Sequence, residues 1–117
     1  MTADTGLAFD LDELAGLFGD PLPISNPDVL DFWFRYRRSD GSSITLSISG
    51  YERSVAVIVR CSEEGATTAV QIDRCDSVRV LEPERKTLEI VGQSPPLRCF
   101  MALDGEATLD LSVPAVP

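Results

Sequence analysis

A chain of 117 residues is long enough for one domain with a core that needs no staples. With 44% apolar and 25% charged residues, wholesale disorder is excluded. The net charge of −9 argues against phosphate-backbone binding, and the lack of any histidine removes Ser-His and Cys-His nucleophile pairs and His-based zinc sites.

The charge is unevenly spread. Residues 1–31 hold seven acids and no base, residues 32–98 hold all ten bases against nine acids, and Asp104, Glu106 and Asp110 follow. This distribution steers a basic protein partner toward the N-terminal segment and disfavours nucleic acid and anionic membrane. The same charge also keeps a small domain soluble. No apolar run approaches the ~20 residues of a membrane span, and no basic stretch precedes an apolar one at the N-terminus. Cys61, Cys75 and Cys99 lie 14 and 24 positions apart, which is neither a disulfide framework nor a zinc spacing. Reduced thiols in a cytoplasmic protein are the expectation. Neither a glycine-rich phosphate loop nor a Cys-x-x-Cys pair is present, so no cofactor and no metal are expected.

In chain order, residues 1–9 read as a frayed start to a single domain spanning 1–117. Asp10 can cap a short helix over 11–18, with Glu13 as capping-box partner and Phe9 and Leu14 at the staple positions. Leu11, Leu14 and Phe18 share one face, flanked by Leu17 and Ala15. Gly19 and Pro21 end the helix. Two turns are not stable alone, so this helix must pack on something. Residues 19–28 form a proline-rich connector, and 29–113 a β-domain.

There the period changes to two. Leu30, Phe32, Phe34 and Tyr36 alternate with Asp31, Trp33, Arg35 and Arg37. Asp40-Gly41 is a hairpin signal, followed by Ile44, Leu46 and Ile48 alternating with serines and Thr45. Ser54–Cys61 is apolar on both faces and reads as a central, doubly covered strand. Thr67–Asp73, Ser77–Leu81, Thr87–Val91, Leu97–Leu103 and Ala107–Val113 follow, divided by turn signals at Glu64-Gly65, Glu82-Pro83-Glu84-Arg85, 92–96 and Asp104-Gly105. About eight short strands after one short N-terminal helix give an all-β fold, an antiparallel β-sandwich or partly open barrel. The helix is expected to cover an open end or a sheet edge, and an uncovered edge would permit a homodimer.

The best candidate surface is the second face of the first strand: Asp31, Trp33, Arg35 and Arg37, with Arg38 at its end. Trp and Arg are the types most enriched in binding hot spots, and on one strand face they lie ~6–7 Å apart. The competing reading packs Trp33 beneath the connector or the helix and pairs the arginines with the acids of residues 1–31. Cys61 and Cys99 read as small buried hydrophobes; Cys75 lies in a polar run, Asp73-Arg74-Cys75-Asp76, where flanking aspartates oppose an activated thiol. Asp10, Asp12 and Glu13 have capping and dipole roles, Asp40, Glu64 and Asp104 are turn residues, and Glu63-Glu64 and Glu82/Glu84 sit in loops. No set has calcium-loop spacing, and an acid pair brought together by two strands is the least favoured, enzymatic alternative.

Over residues 68–111, a strand ending near Asp73 leads to Val78-Arg-Val-Leu, then Lys86-Thr-Leu-Glu-Ile-Val, then Phe100-Met-Ala-Leu-Asp-Gly-Glu-Ala-Thr-Leu-Asp-Leu. This rhythm resembles the small, acidic, β-rich immunity proteins that bacteria encode beside polymorphic or contact-dependent toxins. The resemblance implies a non-enzymatic cytoplasmic protein that blocks one cognate toxin, and it carries over no functional residue. A non-catalytic protein-binding module is therefore the expected function. The alternative is a small-ligand-binding barrel or sandwich with a cavity lined by Phe32, Phe34, Tyr36, Phe100 and Met101.

Overall fold

The computed structural model describes residues 7–61, 67–94, 96–104 and 110–112, with 93–94, 96–97 and 110–112 described by backbone alone. The expected turn at Glu64-Gly65 and residues 1–6 fall outside these, as does Gly105.

Helix α1 spans Leu11–Phe18. Asp10 Oδ1 accepts from the backbone N–H groups of Asp12 (2.9 Å) and Glu13 (3.2 Å), satisfying two of the helix's orphan donors. At the other end Gly19, with φ of 90°, donates its N–H to Ala15 O at 2.8 Å. The buried face is Leu14, Leu17 and Phe18, while Leu11 is exposed. The expected face is thus rotated: the helix is entered through Leu7, itself buried, and Leu11 falls on the solvent side.

The strands are β1 (Asp31–Arg37), β2 (Ser43–Ser49), β3 (Ser54–Arg60), β4 (Thr67–Glu82), β5 (Thr87–Ser94), β6 (Pro96–Ala102) and β7 (Asp110–Ser112). They form one open antiparallel meander in the order β1-β2-β3-β4-β5-β6-β7. Among the described residues there are seven strands where eight are expected, because Thr67–Asp73 and Ser77–Leu81 are two parts of one strand. The polar run between them is a bend, not a turn. Arg74 takes φ of 51°, and the register shifts between Cys75 and Ser77. Before the bend β4 pairs with β3, and after it with β5. The bulge bends the strand and turns Cys75 into the core, where it is buried. The expected loop at 92–96 is also shorter, since β5 and β6 stay paired out to Gln93 and Pro96.

Residues 7–9 are anchored, contrary to a frayed start over 1–9. Ala8 bridges to Ser77: its N–H donates to Asp76 O at 2.8 Å and its carbonyl accepts from Val78 N–H at 2.9 Å. They lie beside the second part of β4, covering backbone groups that β3 does not reach. Phe9 then meets Phe32 edge-on, ring centroids 6.0 Å apart, and Phe18 of the helix meets Phe34 at 5.6 Å. The core under α1 runs through Phe34, Ile44, Leu46, Ile48, Val55 and Val57 to Leu88, Ile90, Cys99 and Leu103, all at most 1% exposed. Both parts of the bent meander contribute to it.

The sheet's far ends approach each other through side chains. Arg38 Nε, just past β1, donates to Leu103 O at 2.7 Å. Tyr36 donates its hydroxyl proton to Asp104, and Lys86 Nζ donates to Tyr36 Oη at 2.8 Å while lying 3.1 Å from Asp104 Oδ2.

Candidate functional site

The alternation of β1 sorts its side chains cleanly. Phe32 and Phe34 point into the core at 4% and 0% exposure. Asp31, Trp33, Arg35 and Arg37 therefore share the outer face. The ladder continues that face across three strands: Trp33 stands opposite Ser47, which stands opposite Ala56, and Arg37 opposite Ser43, which stands opposite Arg60. Ala56 and Ile58 are half-exposed on this face, so β3 is not doubly covered as its sequence suggests. Small side chains at Ser43, Ser47, Ser49, Ser54 and Ala56 leave the surface low beside the tall Trp33.

Trp33 is held from the edge of the sheet. Its N–H donates to Ser25 Oγ at 2.9 Å and its carbonyl accepts from Leu22 N–H at 2.7 Å. The connector thus lies along β1 as a short pairing element, and Asn26 and Asp31 close a bridge next to it. Leu30 turns the chain from a 3₁₀ turn (Pro27–Val29) into β1 with φ of 51°. It abuts Gly50, where a Cβ would sit 2.8 Å from Leu30 Cβ, so glycine is required by close approach. Trp33 stays half-buried: the connector braces its backbone without enclosing its ring.

Two open depressions meet at Trp33. One, of about 490 Å³, is bordered by Val29, Asp31, Tyr51 and Glu52. The other, of about 590 Å³, is bordered by Ile24, Arg35, Arg37 and Arg60. Among the described residues, five large hydrophobic side chains are exposed, and Ile24 (64%), Val29 (48%) and Tyr51 (65%) border these two depressions. Sequence reasoning names Trp33, Arg35, Arg37 and Asp31 but misses these three and Arg60. Arg60 alone carried a signal: two successive antiparallel pairings, β1 with β2 through the Asp40-Gly41 hairpin and β2 with β3 through the turn at 50–53, bring it through Ser43 onto the row of Arg37.

Among the described residues, Arg35, Arg37 and Arg60 pair with none of the acids of residues 7–31. Among the described residues the ion pairs are Arg53–Asp76, Arg85–Glu82, Lys86–Asp104 and Arg98–Glu89, and Arg35, Arg37 and Arg60 are in none of them. The face is therefore polarised, with Asp31 and Glu52 at one end and three exposed guanidinium groups at the other.

Of the remaining chemistry-bearing groups, two of the three cysteines are buried. Cys75 is buried, its thiol pushed up to about 11 by desolvation, and its Sγ lies 3.2 Å from Val91 O. Burial likewise raises Cys99. Cys61, expected to be buried, is exposed because β3 ends at Arg60 before it. The hydrogen bond to Tyr36, then that to Asp104, holds Lys86 in its cationic form; bonds from Tyr36 and Lys86 hold Asp104 ionised. Of the side chains expected to line an interior cavity, Phe32, Phe34 and Met101 are in the core, Tyr36 is at the Asp104 contact, and Phe100, adjacent to Met101 on β6, faces the other way.

No family model, curated protein or solved structure matches this chain. Among the described residues no helix is long and apolar enough to cross a membrane.

Proposed function

We propose that this protein is a non-catalytic, cytoplasmic protein-binding module whose binding surface is the outer face of β1–β3, centred on Trp33. One observation carries the reading: a half-buried tryptophan bordered by Ile24, Val29 and Tyr51, three of the most exposed hydrophobic side chains, beside arginines without acidic partners among the described residues. Clustered exposed apolar groups mark interaction sites where scattered ones do not. Trp, Tyr and Arg are the side chains that dominate binding energy. Neutralisation of a cognate toxin, in the manner of the immunity proteins that the strand rhythm resembles, is one form of this role. The ligand-cavity alternative has less support, because the Phe32 and Phe34 rings already meet Phe9 and Phe18. A partly open barrel is the proposed arrangement of the bent sheet, supported by the Arg38–Leu103 and Tyr36–Asp104 contacts between its ends. A homodimer through the β1 edge of the sheet would use the part of β1 beyond Trp33, since residues 22–26 pair with the rest of that strand's edge.

Affinity capture from the source organism's lysate tests this reading, with a Trp33→Ala/Arg35→Ala protein as matched bait. One dominant protein retained by the native bait and lost by the variant is expected. Identical protein lists from both baits would remove the outer face as the binding surface.

A further inference from the structure

We infer that the segment seated on this face is a short, extended, acidic stretch of the partner protein, not the basic surface that the net charge favours. This rests on the protein-binding reading and adds its chemistry. On a chain of net charge −9, three guanidinium groups converge on one patch without a carboxylate partner among the described residues. Arg37 and Arg60 stand in one cross-strand row through Ser43, ~10 Å apart, and Arg35 lies one step along β1, ~7 Å from Arg37. That spacing suits one or two carboxylates, which guanidinium groups grip through paired N–H bonds. The nearby Arg38 is differently engaged, its Nε bonded to Leu103 O, so the patch is not a generic basic strand end.

The rest of the face limits the length and kind of occupant. From the Arg37 row to the Asp31 row is ~20 Å, the span of about six extended residues. Asp31 and Glu52 at the far end repel a polyanion that runs the whole face, which disfavours a nucleic acid strand. A polypeptide with acidic groups at one end and an apolar side chain over Trp33 fits both halves.

A peptide array of random extended decamers, probed with the full chain labelled at its N-terminal amine, tests the inference. Native protein, Trp33→Ala and the charge reversal Arg37→Glu/Arg60→Glu are compared, each first shown to be folded by circular dichroism. Spots bound by native protein and lost with Trp33→Ala should be rich in Asp and Glu. The best acidic peptide, titrated in solution, should bind the charge reversal about tenfold more weakly. Single-stranded oligothymidylate should not displace it. Trp33-dependent spots rich in Lys and Arg, acidic binding unmoved by the reversal, or displacement by the oligonucleotide would each overturn the acidic chemistry while leaving a Trp33 surface intact. Spots that are absent, or the same for native protein and Trp33→Ala, would overturn the binding reading and this inference together.

Discussion

The two faces of β1–β3 are built from the same alternation and end in opposite environments. Inside, Phe32, Phe34, Ile44, Leu46, Ile48, Val55 and Val57 are sealed by α1 and by the far part of the meander. Outside, Trp33, Arg35, Ala56 and Ile58 meet solvent, although Trp33 and Ile58 are as apolar as many residues within. What separates the faces is cover. Among the described residues, a helix and a second sheet region cover one face only, and the connector reaches the edge of the other without crossing it. An apolar group that the fold leaves uncovered is where function is to be sought, because folding alone does not account for it.

Substitutions on the two sides should separate stability from binding. The largest stability effect is expected inside: Phe34→Ala, which also loses the Phe18 ring, should cost about 3–5 kcal/mol in urea unfolding. Gly50→Ala is next. Its new methyl would meet the Cβ and carbonyl of Leu30 at the entry to β1, and the repacking should cost about 1–3 kcal/mol. Because Leu30 leads into the strand bearing Trp33, the same variant should bind partner more weakly.

Asp104→Asn should have a smaller effect, at an exposed contact joining the sheet's ends. The hydrogen bond from Tyr36, then that from Lys86, lowers Asp104 below its ordinary 3.8, so its contribution is present above that value and lost as pH falls through the lowered one. Lys86 is raised above 10.5, so its contribution is present below that value and lost as pH rises through the raised one. Melting temperatures of native protein and variant should therefore differ steadily between these limits and converge in strong acid. The gentlest probe needs no substitution. A thiol reagent at neutral pH should modify Cys61 quickly, and Cys75 and Cys99 only after denaturation. Fast labelling of Cys75 would contradict the bent β4, which places it in the core.

The sequence spoke most clearly where one local signal decides the outcome. Asp10 and Gly19 bound the helix at Leu11–Phe18. Asp40 and Gly41 make the β1–β2 hairpin, with Asp40 Oδ1 accepting from Ser42 N–H at 2.8 Å. The period-two run placed Trp33, Arg35 and Arg37 together on one face. It misled where a choice depends on distant parts of the chain. Asp73-Arg74-Cys75-Asp76 has turn composition, yet its backbone is claimed by β3 on one side and β5 on the other, and one left-handed residue keeps the strand continuous. Ala56 and Ile58 look like core because a strand's composition does not say whether a second layer exists above it. Ile24, Val29 and Tyr51 sit in connectors and turns, where no periodicity marks a side chain that three-dimensional folding brings beside Trp33.

The central claim is that Trp33 serves binding and not folding, and one paired measurement addresses it: urea unfolding and partner capture by the Trp33→Ala protein. The account predicts an unfolding midpoint close to native, a change of no more than about 1 kcal/mol, together with loss of the captured partner. A drop of several kcal/mol would make Trp33 a core residue like Phe34. An unchanged midpoint with undiminished capture would move the binding surface elsewhere on the molecule.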